Sequence, residues 1–368
     1  MNKADLKSGT TLRQPAELVA HGLVPAELLP DLESVAKRYA VAVTAEIAAL
    51  IDPADLDDPI ARQFIPSAEE LARGPGERAD PIGDDANSPV PGIVHRYPDR
   101  VLFKLVHVCA VYCRFCFRRE MVGPGKKTAL SQAAYDEALG YIRAHSEIWE
   151  VILTGGDPLT LSPRRLAEIM RDLADIDHIR IIRIHTRVPV ADPARIGREM
   201  IAALKVEGAT TWVALHANHV RELTDKVRAA CAGLIDAGIP MLSQSVLLRG
   251  VNDNVVALEA LMRAFVECRI KPYYLHHGDL APGTAHLRTT LEHGQRLMRA
   301  LRGRVSGLCQ PEYVLDIPGG HGKAPVGPTY LSNTSEPDSF AQEGEPATET
   351  RYRVIDYCGE VHLYPPEP

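Results

Sequence analysis

The sequence lacks an apolar run long enough to cross a bilayer, and it lacks an excess of basic residues. Its N-terminus, MNKADLKSGTTLRQPAEL, has no continuous apolar core of the kind that a secretory signal carries. With 41 basic and 48 acidic residues the net charge is -7, which argues against a general nucleic-acid binder. We therefore expect a cytoplasmic protein that contacts neither membranes nor nucleic acids.

The composition is that of a soluble globular protein of enzyme size. The chain has 368 residues, of which 45% are hydrophobic and 24% are charged. Its seven cysteines are an odd number and unevenly spread, with Cys109, Cys113 and Cys116 close together and the other four scattered. In a reducing compartment such a group indicates a metal site rather than a disulfide framework.

The chain divides into three segments by composition. Residues 1–90 form an N-terminal helical segment and connector, in which residues 30–51 have apolar residues at helical spacing and PGERADPIGDDANSPVPG is the connector. Residues 91–332 form the core. Residues 333–368 form a polar C-terminal extension, in which RYRVIDYCGEVHLY predicts a hairpin or a docked strand that is a candidate subunit contact.

The core alternates short β-rich apolar runs with helical patterns. The runs are VLFKLVHV, EVILTG, IRIIRIHT, TWVALHA, PMLSQSVLL and IKPYYLHH, and the candidate helices span residues 131–145, 162–174, 193–205, 219–237, 254–268 and 289–302. Six such units predict an α/β fold in which a parallel sheet curls into a barrel or partial barrel. The active site is expected where the loops after the strands converge, and the cysteine loop lies there.

The loop CAVYCRFC carries three thiols and no fourth. Three thiolates can hold a four-iron cluster and leave one iron open to an exogenous ligand. Two other interpretations are a structural zinc with His107 as the fourth ligand and three small buried cysteines. The position of His107 inside the strand makes zinc awkward, and chance clustering this dense is improbable.

Cys109, Cys113 and Cys116, with Phe115 before the last cysteine, resemble the signature of the radical S-adenosylmethionine (SAM) enzymes. The resemblance implies a partial barrel of six βα units, a [4Fe-4S] cluster and SAM, whose reductive cleavage by an electron donor such as flavodoxin or ferredoxin gives a 5'-deoxyadenosyl radical. TGGDP resembles that family's glycine-rich motif, which implies that Gly155 and Gly156 let the backbone approach the SAM amino group, with Asp157 beside it.

Near the end of the core, DIPGGHGKAPV presents Lys323 on a glycine-rich loop. Most such lysines are solvated. However, the segment resembles the pyridoxal phosphate (PLP) loop of the lysine 2,3-aminomutase family, with His321 in place of one glycine, and this implies that Lys323 forms a Schiff base with PLP.

The same resemblance covers most of the chain and implies further cofactor contacts. In RYPDR, Arg96 and Arg100 match arginines that hold the PLP phosphate, and Tyr97 lies near the ring. Gln244 and Ser245 match the strand region that faces SAM. Without the resemblance, Arg96 and Arg100 would be interpreted as surface arginines before a strand. Gln244 and Ser245 would be interpreted as a polar pair that forms only local hydrogen bonds.

Three charges bear on the substrate. Arg118 matches the family arginine that binds the α-carboxylate of the substrate, and Asp279 and Asp316 match the aspartates that hold the distal ammonium of lysine. Two carboxylates in a closed pocket are costly unless a cation lies between them, so they favour a cationic amino acid over glutamate.

The resemblance implies an isomerase that moves the α-amino group of L-lysine to the β-carbon through a PLP aldimine. It also implies a homo-oligomer. Zinc is not expected, because Asn254 stands where clostridial-type enzymes have a zinc-binding cysteine. The alternatives are an aminomutase for arginine or another cationic amino acid, an enzyme supplying β-lysine for elongation factor P modification, and a non-catalytic metal-binding interaction module.

Overall fold

The computed structural model describes residues 6–7, 9–122, 128–333 and 352–364. The N-terminal segment pairs two short strands and packs four helices against the core. These elements are β1 (Thr11–Leu12), α1 (Pro15–Ala20), α2 (Leu29–Ala36), β2 (Val43–Thr44), α3 (Ala45–Leu50) and α4 (Ala61–Phe64). Leu18, Ile47 and Phe64 join the same buried cluster as the barrel residues.

The helical spacing over residues 30–51 predicted helix throughout, and this was wrong in the middle of the segment. There α2 ends at Ala36, and the chain then runs extended into β2, which pairs with β1. The Thr44 side chain accepts a hydrogen bond from Ile47 N and begins α3. The β-branched pair Val43–Thr44, whose second residue caps α3, therefore outweighs the apolar spacing.

A nine-stranded sheet forms the centre of the molecule. Its strands lie side by side in chain order, with β3 and β11 antiparallel to their neighbours and the seven strands between them parallel. They are β3 (Ile93–Tyr97), β4 (Arg100–Val106), β5 (Glu150–Gly155), β6 (Ile181–Thr186), β7 (Thr210–His216), β8 (Met241–Val246), β9 (Ile270–His276), β10 (Glu312–Asp316) and β11 (Lys323–Pro325). The α/β fold and the six predicted strands are confirmed, and the partial barrel gains a seventh parallel strand and two antiparallel edges.

Helices cover the outer face of this sheet. They are α5 (Gln132–Ala144), α6 (Pro163–Ala174), α7 (Val188–Ala191), α8 (Arg198–Ala203), α9 (Asp225–Asp236), α10 (Val255–Glu267) and α11 (Leu291–Leu301). The side chains of Ser131, Ser162, Thr224, Asn254 and Thr290 cap the longer ones, so the serine, threonine and asparagine residues before each helical pattern set where the helix begins. The helix predicted over 193–205 is interrupted, because Gly197 is extended and α8 begins after it.

The C-terminal extension forms a separate three-stranded antiparallel sheet. Its strands are β12 (Leu331–Asn333), β13 (Tyr352–Ile355) and β14 (Val361–Tyr364), so the predicted hairpin is confirmed. Residues 334–351, where we expect a flexible connector before the hairpin, lie outside the described residues. Among the helices that the structure describes, none is long and apolar enough to span a membrane.

Candidate active site

The three cysteines line one cavity at the carboxyl end of β4. Cys109, Cys113 and Cys116 surround it together with Tyr39 and Arg119. Burial raises the pKa of each thiol, that of Cys113 to about 11, so a bound cation is needed to keep the thiolates deprotonated. The donor set fits an iron-sulfur cluster with one iron left without a protein thiolate.

The spacing of the thiols separates a cluster from a single zinc ion. Tetrahedral zinc holds its sulfur ligands about 3.8 Å apart, given a Zn–S distance of about 2.3 Å. Within the described ranges, no three of Cys109, Cys113, Cys116 and His107 have their ligand atoms within 4.8 Å of one another. The three thiols therefore do not converge on one point as the ligands of a single zinc ion do, and the cluster is the better fit.

A buried ion-pair network holds the cysteine loop in place. Glu70, from the N-terminal segment, accepts hydrogen bonds from Arg114 Nε at 2.9 Å, from Arg114 Nη2 at 2.5 Å and from Arg119. Arg114 Nη1 also donates to Ala40 O at 2.7 Å. All three charged side chains are nearly inaccessible, and the charge of Glu70 compensates those of the two arginines.

The glycine-rich loop after β5 packs against the end of β4 and against Val108, which directly precedes the cysteine loop. A Cβ on Gly155 would come within 2.4 Å of Val106 O, and one on Gly156 within 2.1 Å of Val108 O. Asp157 accepts hydrogen bonds from the Thr186 hydroxyl and from Arg187 N, each with a shortest distance of 2.7 Å. These residues therefore join the loops after β4, β5 and β6, and a contact with SAM remains a prediction.

The Lys323 loop is seated between the two edges of the sheet. Gly319, Gly320 and Gly322 all have positive φ, which a side chain would disfavour. A Cβ on Gly83 would lie 2.3 Å from Gly320 N, so the loop packs against the connector before β3. Lys323 N donates to the Tyr97 hydroxyl at 2.7 Å.

Asp316 and Lys323 form an ion pair in the barrel. Lys323 Nζ lies 2.6 Å from Asp316 Oδ1, and His276 Nδ1 lies 3.5 Å from Asp316 Oδ2. Burial alone would raise the pKa of Asp316, but the hydrogen bond from His276 and the charge of Lys323 lower it well below its usual value. Asp316 is thus a carboxylate whose charge is already balanced by the ammonium of Lys323.

Asp279 is the second carboxylate of this pocket. Burial, and next the charge of Asp316, raise the pKa of Asp279 to about 8, against the opposing effect of Lys323. Unlike Asp316, it accepts no side-chain hydrogen bond from any residue that the structure describes. It therefore has the capacity to accept an additional cation.

Arg118 and Arg96 meet at a single carboxylate. Arg118 Nε and Nη2 lie 3.0 and 2.8 Å from Asp84 Oδ2, and Arg96 Nη2 lies 3.3 Å from Asp84 Oδ1. Arg96 is also 3.9 Å from Asp316, which places both arginines beside the pocket. Its Nε is buried without a partner among the described residues, and this spare donor fits an anionic group such as the PLP phosphate.

Three other predicted residues have different surroundings. Arg100 is about one-third exposed, pairs with Asp99 at 2.6 Å and lies 4.0 Å over the Tyr97 ring. Gln244 Nε2 is 3.4 Å from His185 Nε2 inside the barrel, and the Ser245 hydroxyl donates to Ala217 O at 2.6 Å. Ser245 is thus satisfied locally, whereas Arg100 and Gln244 border the site.

The sequence analysis missed several polar residues of the site. Asp84 and Glu70 come from the N-terminal segment, and His276 and Thr154 from strand ends. The signals that were available are the acidic run DPIGDD in the connector and the histidine pair that ends β9.

Comparisons with known proteins agree with this geometry. Residues 103–261 match the family model Radical SAM superfamily, and residues 298–343 match the model Lysine-2,3-aminomutase. The chain is 40% identical to L-lysine 2,3-aminomutase of Clostridium subterminale over 321 residues, which cover 87% of this chain and 77% of that protein. It is 40% identical to the enzyme of the same name from Acetoanaerobium sticklandii over 308 residues, 83% of this chain and 74% of that one.

A relative with another substrate in its name is more distant. Glutamate 2,3-aminomutase of Clostridioides difficile is 35% identical over 329 residues, which cover 87% of this chain and 77% of that protein. A three-cysteine loop at the end of the first parallel strand, a lysine on a glycine-rich loop and these similarities over most of the chain lead to one assignment: the chain belongs to the lysine 2,3-aminomutase family of radical SAM enzymes.

Proposed function

We propose that the protein is an L-lysine 2,3-aminomutase, an isomerase that transfers the α-amino group of L-lysine to the β-carbon and yields β-lysine. The observation that carries the proposal is the grouping of Lys323, Asp316 and Asp279 in one pocket with Arg118 and Arg96 at its side. Substrate and product have the same atoms, so the site must hold both ends of the amino acid while one nitrogen moves.

Cofactors of the family are a [4Fe-4S] cluster, SAM and PLP, and the chain has candidate residues for each of them. When bound, the cluster with SAM supplies hydrogen-atom abstraction and PLP supplies a covalent site for the migrating nitrogen. Cys109, Cys113 and Cys116 would hold the iron. Lys323 would bind the PLP aldehyde, and Arg96 with Arg100 its phosphate; Gly155, Gly156, Asp157, Gln244 and Ser245 are the proposed SAM side of the pocket.

The charges of the pocket select the amino acid. Arg118 Nε and Nη2 donate to Asp84, which leaves Nη1 and the second proton of Nη2 for the α-carboxylate. Asp316 and Asp279 together favour a distal ammonium, because a cation removes the repulsion between them. The distal carboxylate of glutamate would meet two acidic groups, so lysine is favoured.

Lys323 has a second task in this scheme. Its ammonium now neutralises Asp316 at 2.6 Å. If the Lys323 amine were bound to PLP, Asp316 would lose this partner and could receive the distal ammonium of an incoming lysine. Asp316 itself is buried, which limits the access of water to this end of the pocket.

Partners and location follow from the proposed chemistry. We propose a cytoplasmic enzyme that receives electrons from a flavodoxin or ferredoxin. We also propose a homo-oligomer in which the C-terminal strands β13 and β14, whose Val361 and Tyr364 are exposed, contact another subunit.

The test is an assay of anaerobically reconstituted protein with SAM, dithionite and a panel containing lysine, arginine and glutamate. We expect β-lysine as the main product. Turnover of glutamate without turnover of lysine would overturn the assignment of Asp279 and Asp316.

A variant separates an enzyme from a metal-binding module. In K323A we expect no PLP to remain on the protein after borohydride reduction, while the iron content stays that of the wild type. Unchanged covalent PLP in K323A would place the Schiff base on another lysine.

A further inference from the structure

Asp84 lies in the connector that precedes β3, within the acidic run DPIGDD. Asp84 is only 2% exposed, whereas the next residue, Asp85, is exposed to solvent. The connector folds inward here because Asp80 accepts hydrogen bonds from Asp84 N and Asp85 N, both at 2.9 Å. A segment with the composition of a linker thus places one carboxylate inside the barrel.

The two oxygens of Asp84 serve different arginines. Oδ2 accepts both Nε and Nη2 of Arg118, at 3.0 and 2.8 Å, and Oδ1 accepts Nη2 of Arg96 at 3.3 Å. Each guanidinium has one further anchor: Arg118 Nη1 is 3.4 Å from Thr154 Oγ1, and Arg96 Nη2 is 2.7 Å from Ile82 O. Neither arginine has another ion pair within 3.5 Å among the described residues.

The charges around Asp84 explain why it stays ionised. Burial would raise its pKa, but Arg118, Lys104 and Arg96 lower it. Lys104 projects from β4 and is 5% exposed, so a third buried cation depends on the same carboxylate. Without Asp84, three cations would face one another in a poorly hydrated space.

We infer that Asp84 is a positioning residue that fixes two anion-binding arginines, Arg118 and Arg96, relative to each other. It aims the Arg118 fork at the α-carboxylate of the amino acid and holds Arg96 for the phosphate of PLP. This inference rests on the proposed function, because the roles of the two arginines belong to it. Binding of either anion is weakened when Asp84 no longer fixes its arginine.

The experiment compares D84N, D84E and the control D85N with the wild type. The asparagine keeps one acceptor and removes the charge, the glutamate moves the charge by one methylene, and Asp85 is an exposed neighbour of the same type. PLP is titrated into PLP-free protein to give its Kd, and the KM and kcat for lysine are measured separately. Iron content and Tm report whether each variant folds.

In D84N we expect the Kd of PLP and the KM of lysine to rise together by about 10- to 100-fold, with a much smaller change in kcat. D84E should show smaller increases of both, and D85N none. If Asp84 had only a structural role, D84N would lower the iron content and kcat, and the KM of lysine would not rise more than kcat falls.

Wild-type values of both constants in D84N would overturn the inference, as would equal increases in D85N. If D84N loses its iron or does not fold, D84E decides by the same titration, and unchanged values there overturn the inference. If the wild type makes no β-amino acid at all, the proposed function fails, whereas the PLP titration still tests the effect of Asp84 on Arg96.

Discussion

Lys323 N donates a 2.7 Å hydrogen bond to the hydroxyl of Tyr97, and the two residues belong to opposite edges of the curled sheet. Tyr97 ends β3, the first strand of the nine-stranded sheet, and Lys323 begins β11, the last strand of that sheet. Among the described strands no backbone ladder pairs these two edges. A side-chain contact therefore brings the ends of the sheet together at the position where PLP would bind.

Replacing Tyr97 by phenylalanine should weaken this contact. Y97F keeps the ring under Arg100, which lies 4.0 Å from its centroid, and removes the acceptor for Lys323 N. Loss of one hydrogen bond costs about 1 kcal/mol, so the Kd of PLP should rise about fivefold. Equilibrium dialysis measures it. The control is Y135F, whose hydroxyl contacts Asp172 between helices, and an equal effect there would contradict the prediction.

The affinity for lysine should depend on pH through Asp279. The pKa of this carboxyl is raised to about 8, so at pH 7 it is mostly neutral in the free protein, and a cation must displace a proton to bind. Affinity should therefore rise by up to about tenfold per pH unit as pH approaches 8, and then level off.

Calorimetry of lysine binding to PLP-loaded protein, in buffers of different ionisation enthalpy, tests this coupling. At pH 7 the wild type should release close to one proton more than D279N. D279N should also bind lysine more weakly, with a flatter pH dependence. Equal proton release by both proteins would show that Asp279 is already ionised.

Loss of the Glu70 charge should destabilise the cysteine loop. E70Q leaves the buried guanidinium groups of Arg114 and Arg119 without a compensating charge, and breaking a buried pair costs about 3–5 kcal/mol. We expect less iron per chain after reconstitution and a lower Tm. The control E69Q changes an exposed neighbour. Full iron content and an unchanged Tm in E70Q would refute this role.

A methyl group on Gly83 should displace the Lys323 loop. Its φ is +70°, and a Cβ would lie 2.3 Å from Gly320 N, a backbone atom that cannot move aside cheaply. G83A should therefore retain less PLP after borohydride reduction. G140A is the control, because nothing lies within 4 Å of its Cβ position. Full PLP retention in G83A would mean that the loop adapts.

Local patterns were enough to predict the frame of the site. The six apolar runs became β4 to β9, and the cysteine loop follows β4, because apolar strands and capped helices are signalled within a few residues. The strand β10 was not among these six runs. β10 pairs with β9, and whether a sheet extends beyond its sixth parallel strand depends on contacts between distant segments, which a local sequence pattern does not contain.

The remaining parts of the site depend on contacts between distant residues. Glu70 pairs with Arg114 across 44 positions, and Asp84 reaches Arg118 across 34. Both acids lie in segments that read as a helical turn or a linker, and only the fold brings them beside the arginines. The sequence also gave no sign that Asp157 would be fully engaged by Thr186 and Arg187.

The meeting of β3 and β11 through side chains has a consequence for coenzyme exchange. Neighbouring strands from β3 to β11 are joined by backbone ladders, which open only when many hydrogen bonds break together. The junction of the two outer strands, in contrast, depends on the Tyr97 contact, on the Arg96–Asp316 ion pair at 3.9 Å and on the packing of Gly83 against Gly320. This junction has fewer hydrogen bonds to break than the ladders, so we expect PLP to enter and leave the barrel there while the strands around the cysteine loop stay paired.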